Sequence, residues 1–200
     1  MVSQASLGIQ AFFDGVTGTV SYVLHDAASR AAAVIDPVWD FDAKSGRTST
    51  ASAQQIVDYV RAQQLDLRWV LETHAHADHL SAAQWLRAQA PQGTVQTAAP
   101  VVIGQRITTV QKVFGGIYGI EGSIAPQGAD FDRLLSDGEV LALGATRIRA
   151  ISVPGHTPAD LAYVVESGDE TVAIFVGDTL FMPDVGTARC DFPGGDAHQL

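Results

Sequence analysis

Three of the chain's six histidines and an aspartate are crowded into six positions, in the run Thr73-His74-Ala75-His76-Ala77-Asp78-His79. The run follows an apolar segment, residues 68–73, that reads as a strand through Trp69, Val70 and Leu71, and it precedes a segment, residues 80–90, that reads as a helix. Any fold for this chain must therefore seat these groups in a strand-to-helix loop. Side chains two apart in extended backbone point the same way, so His74 and His76 converge on one point. The turn into the helix then brings Asp78 and His79 round to a neighbouring point. Helix capping by Asp78 would need only one short polar residue, and it leaves the alternating histidines unexplained.

Two later segments share this placement. Val153-Pro154-Gly155-His156-Thr157-Pro158 puts a histidine in a tight turn after an apolar strand, and Phe175-Val176-Gly177-Asp178-Thr179 puts an aspartate at the end of another. Each has an ordinary reading alone, a turn histidine and a strand-end aspartate. Together the three segments set imidazole and carboxylate groups at the ends of apolar strands, the usual way to gather a metal site from distant sequence.

The rest of the chain reads as a mixed α/β protein. Residues 9–14 and 19–26 form strands across a turn containing Gly15 and Gly18, and residues 31–35 form a third strand that ends at Asp36-Pro37. Residues 40–50 read as a surface loop. Ser52 reads as the N-cap of a helix that carries Ile56, Val57 and Val60 on one face. The glycine-rich stretch 100–128 reads as a helix fragment plus a long mobile loop. Short strands follow at residues 139–143, 147–153, 161–165 and 172–176. Length and hydrophobic content, 200 residues at 46%, fit one domain spanning residues 1–200. A formal net charge of −10 argues against a nucleic-acid partner. The single cysteine, Cys190, fits a reducing cytoplasm, and neither a basic apolar leader nor a membrane-length apolar run is evident.

The H-x-H-x-D-H run, the Gly-His turn and the Gly-Asp strand end, in this order, resemble the metallo-β-lactamase superfamily. The resemblance spans most of the chain and implies an αββα four-layer sandwich. Within the superfamily, Asp184-Val185-Gly186-Thr187-Ala188-Arg189-Cys190-Asp191-Phe192 resembles persulfide dioxygenases and β-lactamase hydrolase-like bacterial proteins, with Arg189-x-Asp191 as the discriminating pair. Relatives continue beyond this segment with a strand, a helix, a further metal-binding histidine and substrate tyrosines. The expectation is a fold incomplete at its C-terminal end, and His198 lies too close to Phe192 to serve as that histidine.

For a persulfide dioxygenase the resemblance implies one iron(II) per chain, held by His74, His156 and Asp178, with His76, Asp78 and His79 orienting ligands and water. A two-histidine, one-carboxylate set leaves positions open for substrate sulfur and dioxygen. The partners implied are a small thiol or persulfide and O2, with sulfite released; an oligomer is compatible with this. For a two-metal zinc hydrolase, glyoxalase II-like or a lactonase, the resemblance implies that His74, His76 and His156 hold one ion. Asp78 and His79 then help hold another, and Asp178 bridges. A third reading is an inactive metal-binding fragment. Arg189 is suited either to steering an anionic thiol or to bracing Asp191, with bracing favoured. Cys190 is expected to be an inert small residue rather than a reactive thiol. The turn from Phe192 to Asp196 is expected to lie beside the site.

Overall fold

The computed structural model describes residues 7–89, 98–124 and 126–200. The opening six residues, and Ala90 of the helix expected over 80–90, lie outside them. Packing divides the chain into two compact units. The first comprises Met1–Glu72, His76–Val101 and Ala142–Thr146, the second Thr73–Ala75, Val102–Leu141 and Arg147–Leu200.

In the first unit, β1 (Leu7–Phe13) and β2 (Val20–Asp26) form an antiparallel hairpin, and β3 (Ala31–Ile35) pairs antiparallel with β2. The hairpin turn closes where the Asp14 carboxylate accepts from the Thr17 amide and hydroxyl, at 3.0 and 2.7 Å. Then come β4 (Val38–Asp42), β5 (Arg47–Ser49), α1 (Ala51–Ala62), β6 (Asp66–Leu71), β7 (Leu80–Ser81) and α2 (Ala83–Gln89). β6 runs parallel to β3, which leaves β3 flanked on both edges. All five β3 residues are buried, as an unbroken apolar run requires. α1 buries Ala53, Ile56, Val57 and Val60, the face that its sequence spacing presents.

Three expectations for this unit are corrected. Residues 40–50 are not one surface loop, because β4 and β5 pair antiparallel from Asp40↔Ser49 to Asp42↔Arg47. Their polar residues face solvent on a hairpin edge, which disguises a strand as a loop. Ser52 is not the N-cap of α1. Thr50 occupies that position without a side-chain cap bond, and Asp40 supplies the acceptor from β4, taking the Ser52 amide at 3.1 Å and its hydroxyl at 2.5 Å. The helix over 80–90 begins later, at Ala83, because Leu80–Ser81 pair with Val38 and Trp39 as β7.

The second unit holds β8 (Val101–Gly104) from Val102 onward, α3 (Ile107–Tyr118) and β9 (Arg133–Leu135), with β8 and β9 parallel. A four-stranded sheet follows, of β10 (Val140–Leu143), β11 (Thr146–Ser152), β12 (Leu161–Ser167) and β13 (Glu170–Phe175) in that order. Ala142–Thr146, the end of β10, the turn and the first residue of β11, count with the first unit. Ile103, Ile107, Val110 and Ala159 form a buried cluster with Phe114, Phe131 and Leu134 against it. Over 100–128 the expected helix fragment is the twelve-residue α3, and a buried strand, β8, stands ahead of it where no strand was expected. Four residues of strand are too few to show a period, and Gly115 and Gly116 depress the helical signal. Gly115 has a packing reason: a Cβ there would meet Glu121 and Ile124 side chains at 3.3 Å. Among the described residues no helix is long and apolar enough to cross a membrane.

Burial works against charge on Asp40, and its bonds from Ser52, Ser49 and the Ala51 amide outweigh that, holding the carboxyl below the usual range. A carboxyl depressed in the folded state stabilises above its unfolded pKa, and that contribution fades as pH falls through the folded value. Asp40→Ala is therefore expected to lower stability in urea by about 1 kcal/mol near neutral pH, the worth of a lost helix cap. The gap to wild type should start to narrow below about pH 4, the unfolded value, and close only once pH has fallen through the lower folded value. Urea midpoints at both pH values check this.

Candidate metal centre

The second unit brings His74, His156 and Asp178 together, with one ligand atom of each within 4.8 Å of the others. Thr73 starts the construction. Its carbonyl accepts the Leu161 amide at 2.9 Å, which ties the residue before His74 to the first residue of β12. His74 is buried, and its Nδ1 lies 3.0 Å from the Thr73 hydroxyl. His156 sits in the turn between β11 and β12. There the Asp160 carboxylate accepts the Thr157 amide at 2.7 Å and hydroxyl at 2.5 Å. Burial pushes the Asp160 carboxyl up against the opposing pull of these bonds. The turn carrying Asp178 follows β13 through Gly177, whose φ is +51°. A Cβ at Gly177 would come within 2.8 Å of Thr73 side-chain atoms, so glycine permits this close approach.

The mutual geometry suits a cation. Asp178 Oδ2 lies 3.8 Å from His74 Nε2 and 3.4 Å from His156 Nε2, and the two imidazoles stand edge to face at 5.1 Å. Ligand atoms about 2.1 Å from a common ion lie about 3.0–3.4 Å apart, so the Asp178–His156 pair stands at coordination spacing and the Asp178–His74 pair a little beyond it. His156 Nδ1–H donates to the Arg189 carbonyl at 2.7 Å. That fixes the tautomer in which Nε2 carries its lone pair towards Asp178. Asp178 keeps about a third of its side-chain surface exposed, 34%, an opening for a small molecule. Two imidazoles and one carboxylate form a donor set for a divalent metal.

The remaining residues of the run lie in the first unit. His76, Asp78 and His79 form a cluster of their own, also with ligand atoms within 4.8 Å. The His76 and His79 rings lie 4.1 Å apart, inclined by 32°. Asp78 Oδ1 lies 3.3 Å from His79 Nδ1, and this contact leads in holding the Asp78 carboxyl far below the usual range. The Thr19 hydroxyl donates to Asp78 Oδ2 at 3.1 Å and lies 3.3 Å from His79 Nδ1. His79 Nε2 is buried and has no hydrogen-bond partner among the described residues.

His76 exposes groups that sequence reading missed. Its Nε2 lies 3.0 Å from Asp36 Oδ1 and 3.3 Å from Glu72 Oε2, and Glu72 is further bonded by the Ser81 hydroxyl. Burial pushes the Glu72 carboxyl up. Burial opposes a charge on His76, but the facing Asp36 and Glu72 carboxylates outweigh it and raise the imidazole well above its ordinary value. Asp36, Glu72 and His76 thus also bring one ligand atom each within 4.8 Å of the others, and the imidazole lies against both carboxylates. Asp36 carries a signal beyond its role as a strand terminator: it holds φ +48° while its amide donates to the Leu71 carbonyl at 2.9 Å. The sequence clue for Glu72 was a lone carboxylate at the end of an apolar strand.

The later candidates lie as follows. Arg189 donates to both oxygens of Asp191 at 2.5 and 2.7 Å, the bracing geometry, and both side chains are exposed. This pair lowers the Asp191 carboxyl and raises the Arg189 guanidinium. The Phe192 ring stands edge to face with His156 at 5.2 Å, so the turn that begins there does lie beside the site. Cys190 is half-buried, its thiol 3.7 Å from the Ala188 carbonyl. His198 is exposed, and its amide donates to Asp196.

The chain is similar to several known proteins. A probable metallo-hydrolase of Burkholderia pseudomallei is 51% identical over 197 residues, covering 96% of this chain and 65% of its own length. The human mitochondrial persulfide dioxygenase ETHE1 is 28% identical over 198 residues, covering 99% of this chain and 61% of its own. The crystal structure of ETHE1 from Myxococcus xanthus superposes with a TM-score of 0.66 at 26% identity, over 96% of this chain and 65% of that one. The chain thus spans less than two thirds of the length of these relatives. The family model of the metallo-β-lactamase superfamily matches residues 14–200, and the chain belongs to that superfamily of enzymes, with the mixed α/β fold its members share.

Proposed function

We propose that the chain carries the centre of a mononuclear iron persulfide dioxygenase, acting on a glutathione-persulfide-like substrate with O2 and releasing sulfite. The observation that carries this reading is the convergence of His74, His156 and Asp178, a two-histidine, one-carboxylate set contained within a single packed unit. Iron(II) bound there would supply adjacent open positions for a sulfur anion and dioxygen. The balanced reaction consumes a persulfide RSSH, O2 and one water, and yields the thiol RSH, sulfite and two protons. The terminal sulfur is oxidised, O2 is reduced, and the sulfur–sulfur bond breaks.

The chain's own residues then have defined tasks. Thr73 and the Arg189 carbonyl hold the Nδ1 sides of His74 and His156. The exposed edge of Asp178 leaves an approach for a small anion. Likeness to ETHE1, at 26% identity in structure and 28% to the human enzyme, supports the choice of sulfur substrate. The activity of the longer relatives is carried to this chain as part of the proposal.

A second reading is favoured by one observation, the His76, Asp78 and His79 cluster, together with the name of the Burkholderia relative. It is a zinc-dependent hydrolase of a thioester or lactone with two ions per chain.

Anaerobic preparation followed by metal analysis is expected to give one iron per chain, and adding glutathione persulfide should start oxygen uptake with sulfite formed in equal amount. Two zincs, with thioester cleavage and no oxygen use, would overturn the dioxygenase in favour of the hydrolase. Asp178→Asn, measured by chelator competition, should weaken iron binding by more than about 100-fold, beyond the usual cost of losing a group behind a ligand. Unchanged affinity would remove Asp178 from the centre.

A further inference from the structure

The turn after Ala188 is unusually well fitted to one histidine. Arg189 offers its carbonyl to His156 Nδ1–H at 2.7 Å. Three residues on, the Phe192 ring meets the same imidazole edge to face at 5.2 Å, with planes inclined by 85°. The Arg189 guanidinium lies 4.7 Å from the centre of that Phe192 ring while gripping Asp191 with two bonds. The chain then doubles back. The Gly195 amide donates to the Phe192 carbonyl at 2.7 Å, and the Asp196 amide to the Gly155 carbonyl at 2.8 Å, on the residue before His156. A Cβ at Gly195 would lie 2.5 Å from the Cys190 carbonyl oxygen and 3.0 Å from that of His156. Both are backbone atoms that cannot swing aside, so closure of the turn on His156 depends on glycine there.

We infer that residues 189–196 form a positioning clamp for His156, in which the Arg189 carbonyl and the Phe192 ring fix the imidazole and Gly195 lets the turn close on it. This rests on the reading of His156 as a metal ligand. The Arg189–Asp191 pair shapes the clamp without being its main grip. An ion pair fully open to water contributes little by itself, whereas a ligand's ring nitrogen held from behind affects metal affinity by about 10- to 100-fold. The clamp assigns separate tasks to one short segment: the backbone and the aromatic ring act on the metal ligand, and the exposed guanidinium keeps the ring in place.

Phe192 and Gly195 are positioning residues under this account, because each acts through His156. The test uses the full chain loaded with zinc(II), which is diamagnetic and leaves the histidine ring protons visible by NMR. Wild type should show a slowly exchanging His156 Nδ1–H resonance, assigned by its loss in His156→Gln. Phe192→Ala and Gly195→Ala should speed that exchange and weaken zinc binding in chelator competition about 10-fold or more. Phe192→Tyr should restore both readouts, and Asp191→Ala should change them least. Should Phe192→Ala match wild type in exchange and affinity while His156→Ala loses zinc, the clamp is refuted and the ligand assignment stands. Should His156→Ala keep its zinc affinity, the ligand assignment fails and the clamp fails with it. Phe192→Ala carries the test if the glycine variant does not fold.

Discussion

The hydrogen bond from the Leu161 amide to the Thr73 carbonyl is the contact on which the centre is built. Alone it is worth about 1 kcal/mol. Its reach comes from where it sits, since β12 begins at Leu161 and its first five residues are buried. Each such apolar side chain contributes about 1.5–3 kcal/mol on burial, so β12 is a fixed rail. Thr73 is tied to that rail and His74 follows in the next position. Gly177, with no side chain to hold it off, lets the turn bearing Asp178 settle against Thr73. The His156 turn enters β12 from the same end, its Asp160 bonding Thr157 and its Val153 amide donating to the Asp160 carbonyl at 2.9 Å. Three segments far apart in sequence are thereby indexed to the start of one buried strand.

The first unit handles its polar residues by another rule. Asp36 and Glu72 are buried and the His76 side chain is largely covered, and buried charges persist only when paired. Here two carboxylates share one imidazole, so burial and attraction pull in opposite directions: attraction prevails at His76 and burial at Glu72. Thr19, reaching from the β1–β2 turn, performs a similar service for Asp78 and His79. The histidine run is thus supported residue by residue, with a different neighbour behind each ring.

What the sequence disclosed follows from how local each signal was. The run from His74 to His79 stood out because alternating imidazoles after an apolar strand have no cheap structural use. His156 and Asp178 were weak singly and gained force from their shared position at strand ends. The family resemblance, more than the pattern of strands and helices, identified the fold. Asp36 reads from sequence only as a strand-ending Asp-Pro and Glu72 as a stray charge, because their actual partner, His76, lies 40 and 4 positions away. Asp40 was lost in the same way, since a cap supplied from another strand leaves no mark beside the helix it caps. β8 was hidden by brevity, and α3 by glycines, of which Gly115 is required by packing against Glu121 and Ile124.

The central claim is that two imidazoles and one carboxylate grip a single ion. The most direct measurement is a crystal structure of the iron-loaded chain with anomalous data collected at the iron edge. The account predicts one anomalous peak per chain, about 2.0–2.2 Å from His74 Nε2, His156 Nε2 and a carboxylate oxygen of Asp178. A peak bound elsewhere, or none while these three side chains turn away from one another, would contradict it.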